Sequence, residues 1–393
     1  MISEIAIKTI SCSQLILICK KQSFPFAIYR LPLSDSGYFL ISFNKNPEFK
    51  KIDFEDCPPG FVMAPFDTEK QFPLFLSADY LCKITPDDQI GLTEELIQNL
   101  NLEINNSIPY PVDFSIQINK ENQDIEKESY IEKVIQAKNA IQDGECKKIV
   151  LSRKIKLGKL KSENFYLGFK KLSNSYQSAF ISLVSLPWKK QIWLGASPET
   201  LVHQNRKGIF TTVSLAGTQS AEDSLGKEIR TKEALWSQKE IEEQALVGRY
   251  IIDCLKKIRV REYIEEGPKT IKAGNLLHLG STYSINTKEI NFPNLSSTML
   301  DLLHPTPAVC GIPKDPATTI IRKIENYDRE FYSGYLGPIN IDNDSHLFVN
   351  IRSMKIENHT VFAFSGGGIT ADSSPEKEWI ETELKLKTIE KAF

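Results

Sequence analysis

Residues 178–215, SAFISLVSLPWKKQIWLGASPETLVHQNRKGIFTTVSL, hold three β-rich apolar runs, Ser178 to Leu186, Gln191 to Gln204 and Gly208 to Leu215, joined by short connections. A parallel pair needs a crossover of about a dozen residues or more, so these runs are expected to pair antiparallel. Lys148 to Lys156 precedes them, and further runs follow at Leu277 to Ile285 and from Phe331 to Ile369, with a hairpin turn at Asn343-Asp344. Helical spacing fills the intervals. Ile131, Val134, Ile135 and Ile141 recur until Asp143-Gly144, and Leu246, Val247, Tyr250, Ile251, Cys254 and Leu255 keep one apolar stripe. Shorter helices are expected over Ser297 to Leu303 and Pro316 to Ile324, and Pro375 opens a last one bearing Trp379, Leu386, Ile389 and Phe393. The fold class is α+β.

The chain has 393 residues, 41% hydrophobic, with 48 Lys and Arg against 50 Asp and Glu. That composition excludes disorder as the main state, and the absence of a basic field argues against a nucleic-acid or lipid-surface partner. Leu15-Ile16-Leu17-Ile18-Cys19, closed by Lys20 and Lys21, is too short to span a bilayer and lacks the start and cleavage site of a secretory signal. It reads as a buried strand of a cytoplasmic protein. Seven scattered cysteines without zinc spacing fit a reducing compartment. Asp56-Cys57-Pro58-Pro59-Gly60 reads as a loop, and a polar stretch from Ser115 to Glu128 marks a second boundary.

Several residues could carry chemistry. Glu378, Glu381 and Lys385 share one face of the last helix, and Glu240 and Glu243 form a similar pair on the central one. Facing each other, the pairs make an oxygen site for a hard cation such as Mg²⁺; otherwise they are solvated helix faces. Ser365-Gly366-Gly367-Gly368-Ile369 is a flexible turn or a place where bare backbone N–H groups approach an anion. Lys148 at a strand start is either a snorkelling lysine or a base, and Glu199 in Gly195-Ala196-Ser197-Pro198-Glu199 a turn residue or a desolvated acid. His278 and His304 are structural or functional histidines. Arg352, inside a β-core, needs an anionic partner, which a carboxylate ligand supplies.

The order of these pieces resembles one family, the chorismate-utilising enzymes, which share a fold across isochorismate, salicylate, anthranilate and aminodeoxychorismate synthases. The motifs that carry it are Lys148-Ile149-Val150-Leu151-Ser152-Arg153, Gly195 to Glu199, Leu215-Ala216-Gly217-Thr218, Leu302 to Ala308, Tyr327-Asp328-Arg329-Glu330 and Gly366 to Ile369. They cover residues 125 to 393, while the N-terminal third matches only at Gly60 to Phe66. The resemblance implies two large, mostly antiparallel sheets packed together and flanked by helices. It makes residues 1–393 a single domain, with 125–393 the catalytic core and 1–124 a variable part that completes the sheets. It also implies chorismate held beside Mg²⁺. Glu243 and Glu381 become the principal metal ligands, with Glu240 and Glu378 as further carboxylates. Arg352 and Lys385, helped by Gly367 and Gly368, bind a substrate carboxylate, and Gly217 and Thr218 the ring carboxylate. His278, Ala308 and Tyr332 complete the substrate pocket.

Within the family, Lys148 matches the lysine that activates water in isochorismate and salicylate synthases, and Glu199 the acid that protonates the departing hydroxyl. Ala216 stands where aminodeoxychorismate synthases carry a nucleophilic lysine, and Asp328-Arg329-Glu330 looks like the isochorismate group. Ala308 and Ile351 resemble isochorismate synthases, which stop before pyruvate elimination, whereas Tyr332 is familiar in salicylate synthases too. The expectation is an isochorismate synthase serving menaquinone or siderophore biosynthesis, monomeric and without a glutaminase subunit. Salicylate synthase and a non-catalytic chorismate-binding protein are the alternatives. Gln244 replaces the histidine that many relatives carry after the metal glutamate, and its direction on the helix places it behind the ligand.

Overall fold

The computed structural model describes residues 8–101, 111–118, 123–221, 227–273 and 276–393. Residues 119–122 of the polar boundary stretch fall outside them. Two antiparallel sheets, of ten and nine strands among the described residues, pack face to face. Their shared core is aromatic: Phe180 of the first stacks on Phe348 of the second with centroids 4.2 Å apart, and Tyr29 meets Phe61 at 5.8 Å.

In the first sheet, strand Lys148–Glu163 pairs with Thr360–Ile369, and Gln191–Ser197 with Ser353–Glu357. In the second, Ile209–Ser220 lies between Leu276–Asn286 and Thr200–Gln204, followed by Ser345–Val349, Tyr335–Ile339 and Gly60–Ala64. The N-terminal third enters both, through Phe26–Arg30 and Gly37–Ile41 in one and Gly60–Ala64 and Leu74–Ser77 in the other. Helices Cys12–Gln22 and Phe165–Ser175, with the end of Pro375–Glu390, cover the outer face of the first sheet. Gln238–Lys257 and Leu295–Leu303 cover the second. Among the described residues no helix is long and apolar enough to cross a membrane.

Four readings of the sequence change. The run Leu15 to Cys19 is not a strand but the middle of helix Cys12–Gln22. Its local signals outweigh its apolar composition: Ser11 caps the first turn by accepting from the Gln14 N–H at 3.3 Å, and Ser23 ends it with φ 61°. Gln191 to Gln204 is not one strand, because Pro198 has no N–H for a ladder; the chain leaves the first sheet at Ser197 and joins the second at Thr200. In helix Gln123–Gln142 the buried stripe is Tyr130, Val134, Ala137 and Ile141, and Ile135 is exposed. The hairpin turn centres on Asp342-Asn343, both at positive φ, one residue earlier than expected.

Candidate active site

The site lies where the chain crosses between the sheets twice, side by side. Ser197 to Thr200 crosses in one direction, and Val349 to Ser353 returns. The Ala196 N–H donates to the Arg352 carbonyl at 3.0 Å and the Val349 N–H to the Glu199 carbonyl at 3.0 Å, tying the crossings together. Glu199 and Arg352 thereby reach the same gap. Burial pushes the Glu199 carboxyl up to about 7, against the pull of Lys148, Lys385 and Arg352. The Arg352 guanidinium is buried, donates to Thr388 Oγ1 at 3.1 Å, and is lowered to about 10 by desolvation. Among the described residues no carboxylate comes within ion-pairing distance of it. A buried cation so placed calls for an anionic ligand.

Opposite, helices Gln238–Lys257 and Pro375–Glu390 bring three carboxylates against the glycine strand. A Cβ on Gly367 would lie 3.3 Å from Glu378 Oε2 and 3.6 Å from Glu381 Oε1, and one on Gly368 only 2.5 Å from Glu243 Oε1. Each carboxylate has its own lysine: Glu243 with Lys148 at 2.7 Å, Glu378 with Lys239 at 2.6 Å and Glu381 with Lys385 at 2.6 Å. Glu378 Oε2 is nonetheless a buried acceptor without a hydrogen-bond partner. The fully buried Lys148 amine lies against Glu243 as its ion-pair partner, and its attraction helps hold the Glu243 carboxyl below its ordinary value despite burial. Three all-oxygen groups, one with an orphaned oxygen, fit a hard divalent cation.

His278 completes the floor. Its Nδ1 lies 2.8 Å from the Gly217 carbonyl, which can only accept, so the proton is on Nδ1 and Nε2 is an acceptor with no partner. Burial, with Arg352 nearby, lowers the imidazole to about 3, so it stays neutral. Gly217 has φ 72°, a conformation that favours glycine, and a Cβ there would stand a tight 3.2 Å from Glu240 Cβ.

One cavity collects Glu199, Gly217, Thr218, Glu243, His278 and Ala308 together with Tyr332, Arg352, Gly367, Gly368, Glu381 and Lys385. Lys148 and Glu378 lie just behind its wall, fully buried. Glu240 is not brought there, because its carboxylate accepts from Ser237 N and Oγ at 2.8 and 2.9 Å and caps its own helix. Gln244 faces the sheet and donates to Ser214 Oγ at 2.8 Å. Sequence reasoning missed Lys239, although its spacing of four from Glu243 puts both on one helix face. It also missed the role of Arg329, which is buried against Glu325 and donates to the carbonyls of Val150 and Val309, fixing two walls of the cavity.

A family model described as chorismate binding enzyme matches residues 68–393. Isochorismate synthase DhbC of Bacillus subtilis (strain 168) is 32% identical over 274 residues, 68% of either chain. Isochorismate synthase EntC of Escherichia coli (strain K12) is 32% identical over 204 residues, 51% of either chain. A solved structure described as a 2,3-dihydroxybenzoate-specific isochorismate synthase, DhbC, from Bacillus anthracis superposes with TM-score 0.73 at 25% identity, covering 97% of this chain and 98% of that one. The menaquinone-specific isochorismate synthase MenF of Escherichia coli shares the fold, with TM-score 0.70. With that match over most of its length, this chain belongs to the family of chorismate-binding enzymes.

Proposed function

We propose that the chain is an Mg²⁺-dependent isochorismate synthase, a single catalytic unit whose residues 1–124 complete the sheets around a core of 125–393. The observation that carries this reading is Glu199, a buried acid held near neutral pH beside an unpaired arginine. Chorismate has two carboxylates. One meets Arg352 and Lys385 with the N–H group of Gly368, whereas the Gly367 N–H faces Leu151 in the ladder, and the other lies by Gly217 and Thr218. Glu243, Glu378 and Glu381 would hold Mg²⁺, which would supply positive charge to offset a substrate carboxylate. Lys148 is the base: with its own proton lost before the step, its amine takes a proton from a water that attacks ring carbon C2, both ring double bonds shift by one position, and the C4–oxygen bond breaks. Glu199 gives its proton to the departing hydroxyl, which leaves as water, so one water enters and one departs. His278 Nε2 accepts a hydrogen bond from a hydroxyl in the cavity.

The relatives' names include 2,3-dihydroxybenzoate-specific, vibriobactin-specific and menaquinone-specific enzymes, and a siderophore or a menaquinone route can use this product. The test is incubation of the purified chain with chorismate, with Mg²⁺ or with a chelator, and identification of products by chromatography and mass. Isochorismate without pyruvate is expected, and its loss on chelation. Salicylate with pyruvate would instead make Tyr332, which stacks on Phe364 in the cavity wall, the better guide to the outcome. Lys148→Ala is expected to abolish turnover while keeping the fold; full activity would remove Lys148 as the base.

A further inference from the structure

We propose that His203, Asp344 and His346 form a second metal site, outside the catalytic cavity, which takes a divalent transition ion such as Zn²⁺. His203 on strand Thr200–Gln204 and His346 on strand Ser345–Val349 are register partners. Their rings stack with centroids 4.1 Å apart and planes 13° from parallel. Both Nε2 atoms converge on one oxygen, Asp344 Oδ1, at 3.0 and 3.1 Å. Tetrahedral zinc, with bonds of about 2.0–2.1 Å, spaces its ligand atoms by about 3.3 Å. Each Nε2 therefore needs to part from Asp344 Oδ1 by only a few tenths of an ångström, and the stacked rings must tilt until both Nε2 lone pairs point at the ion.

The ligand set is also chemically selective. Two imidazoles and one carboxylate suit Zn²⁺, and Co²⁺ as its spectroscopic stand-in, over Mg²⁺ or Ca²⁺, which favour oxygen ligands. Binding moves the proton of each imidazole to Nδ1, leaving both Nε2 lone pairs for the metal. The side chains are between 21% and 35% exposed, enough for a water to supply the fourth ligand. Asp344 is placed in advance by the turn: Asp342 and Asn343 hold positive φ, and the Asp344 N–H donates to the Ile341 carbonyl at 3.0 Å. Strand Thr200–Gln204 starts right after Glu199, and Ser345–Val349 leads into Arg352. An ion at this cluster is a clip across the two strands that deliver those side chains, and it stands whether or not the chorismate chemistry proposed above is correct.

The full chain, stripped with a chelator and dialysed, is titrated with Zn²⁺ alone by calorimetry and with Co²⁺ alone by visible spectroscopy. Four-coordinate Co²⁺ with imidazole ligands absorbs intensely, whereas Co²⁺ among the carboxylates of the cavity is six-coordinate and nearly colourless. The expected result is one Zn²⁺ equivalent and an intense Co²⁺ band, with affinity at least about tenfold weaker and the band lost in both His203→Asn and His346→Asn. Absence of the band in the unmodified chain overturns the site without reference to any variant. Equal Zn²⁺ affinity in the His203→Asn protein overturns it as well.

Discussion

Glu199 is raised because burial disfavours its charged form, and the sign of the consequence can be worked out. Its folded value of about 7 lies above the ordinary 4.5, so between these the folded chain holds a proton that the unfolded chain releases. The stability the group contributes is fully present below pH 4.5 and is lost as pH rises through about 7. Glu199→Gln is therefore expected to lower turnover by about 10²–10⁴-fold and to stabilise the chain at alkaline pH by on the order of 3 kcal/mol. Urea denaturation of both proteins at about pH 5 and about pH 8.5 measures the second effect. The same stability difference at both values would contradict the raised acid. Lys239 invites a separate test, since it is the cation of the almost fully buried Glu378. Removing one partner of a buried pair costs about 3–5 kcal/mol, because a charge is left uncompensated. Lys239→Met should lower the melting temperature in chelator and gain a larger Mg²⁺-dependent rise than the unmodified chain. A smaller rise would mean that Glu378 does not face the ion.

At the scale of elements, the glycine strand Thr360–Ile369 sets how near the two carboxylate helices come. Gly368 has ordinary backbone angles, so alanine is conformationally acceptable there, yet its Cβ would stand 2.5 Å from Glu243 Oε1 and 2.9 Å from Lys148 Cε. Gly368→Ala is expected to reduce kcat/KM at least about tenfold with unchanged circular dichroism; an unaltered kcat/KM would show that the helix moves freely. This strand and both helices were legible beforehand, because period and caps are local signals. Other features were not. Leu15 to Cys19 has the composition of a strand, and only the weak cues of Ser11 and Ser23 mark a helix. The Glu240 and Glu243 pair looked equivalent, but Ser237 captures the first carboxylate, a competition that spacing does not reveal. The partnership of Lys239 with Glu378 spans 139 residues and arises only from packing.

At the scale of the whole molecule, the paired crossings between sheets gather charges that no single element could balance. Glu243, Glu378 and Glu381 give three negative charges, and Lys148, Lys239 and Lys385 give three positive ones, so this cluster is neutral as it stands. Arg352 adds one unpaired positive charge to the pocket, so a divalent cation entering alone raises the net charge to three, whereas a dianion entering alone leaves one negative charge. Together they return the pocket to its starting charge, and at low effective dielectric the difference is large. Metal and substrate binding are thus expected to be coupled. Coupling is reciprocal in free energy, so each ligand tightens the other by the same factor, expected at about 10-fold or more. Titration of Mg²⁺ into the chain with and without a saturating, unreactive dianionic analogue of chorismate measures that factor directly, and the reverse titration must return the same value. Equal Mg²⁺ affinities in the two titrations would place the ion away from the dianion and undo the shared-site arrangement of Glu243, Glu381 and Arg352.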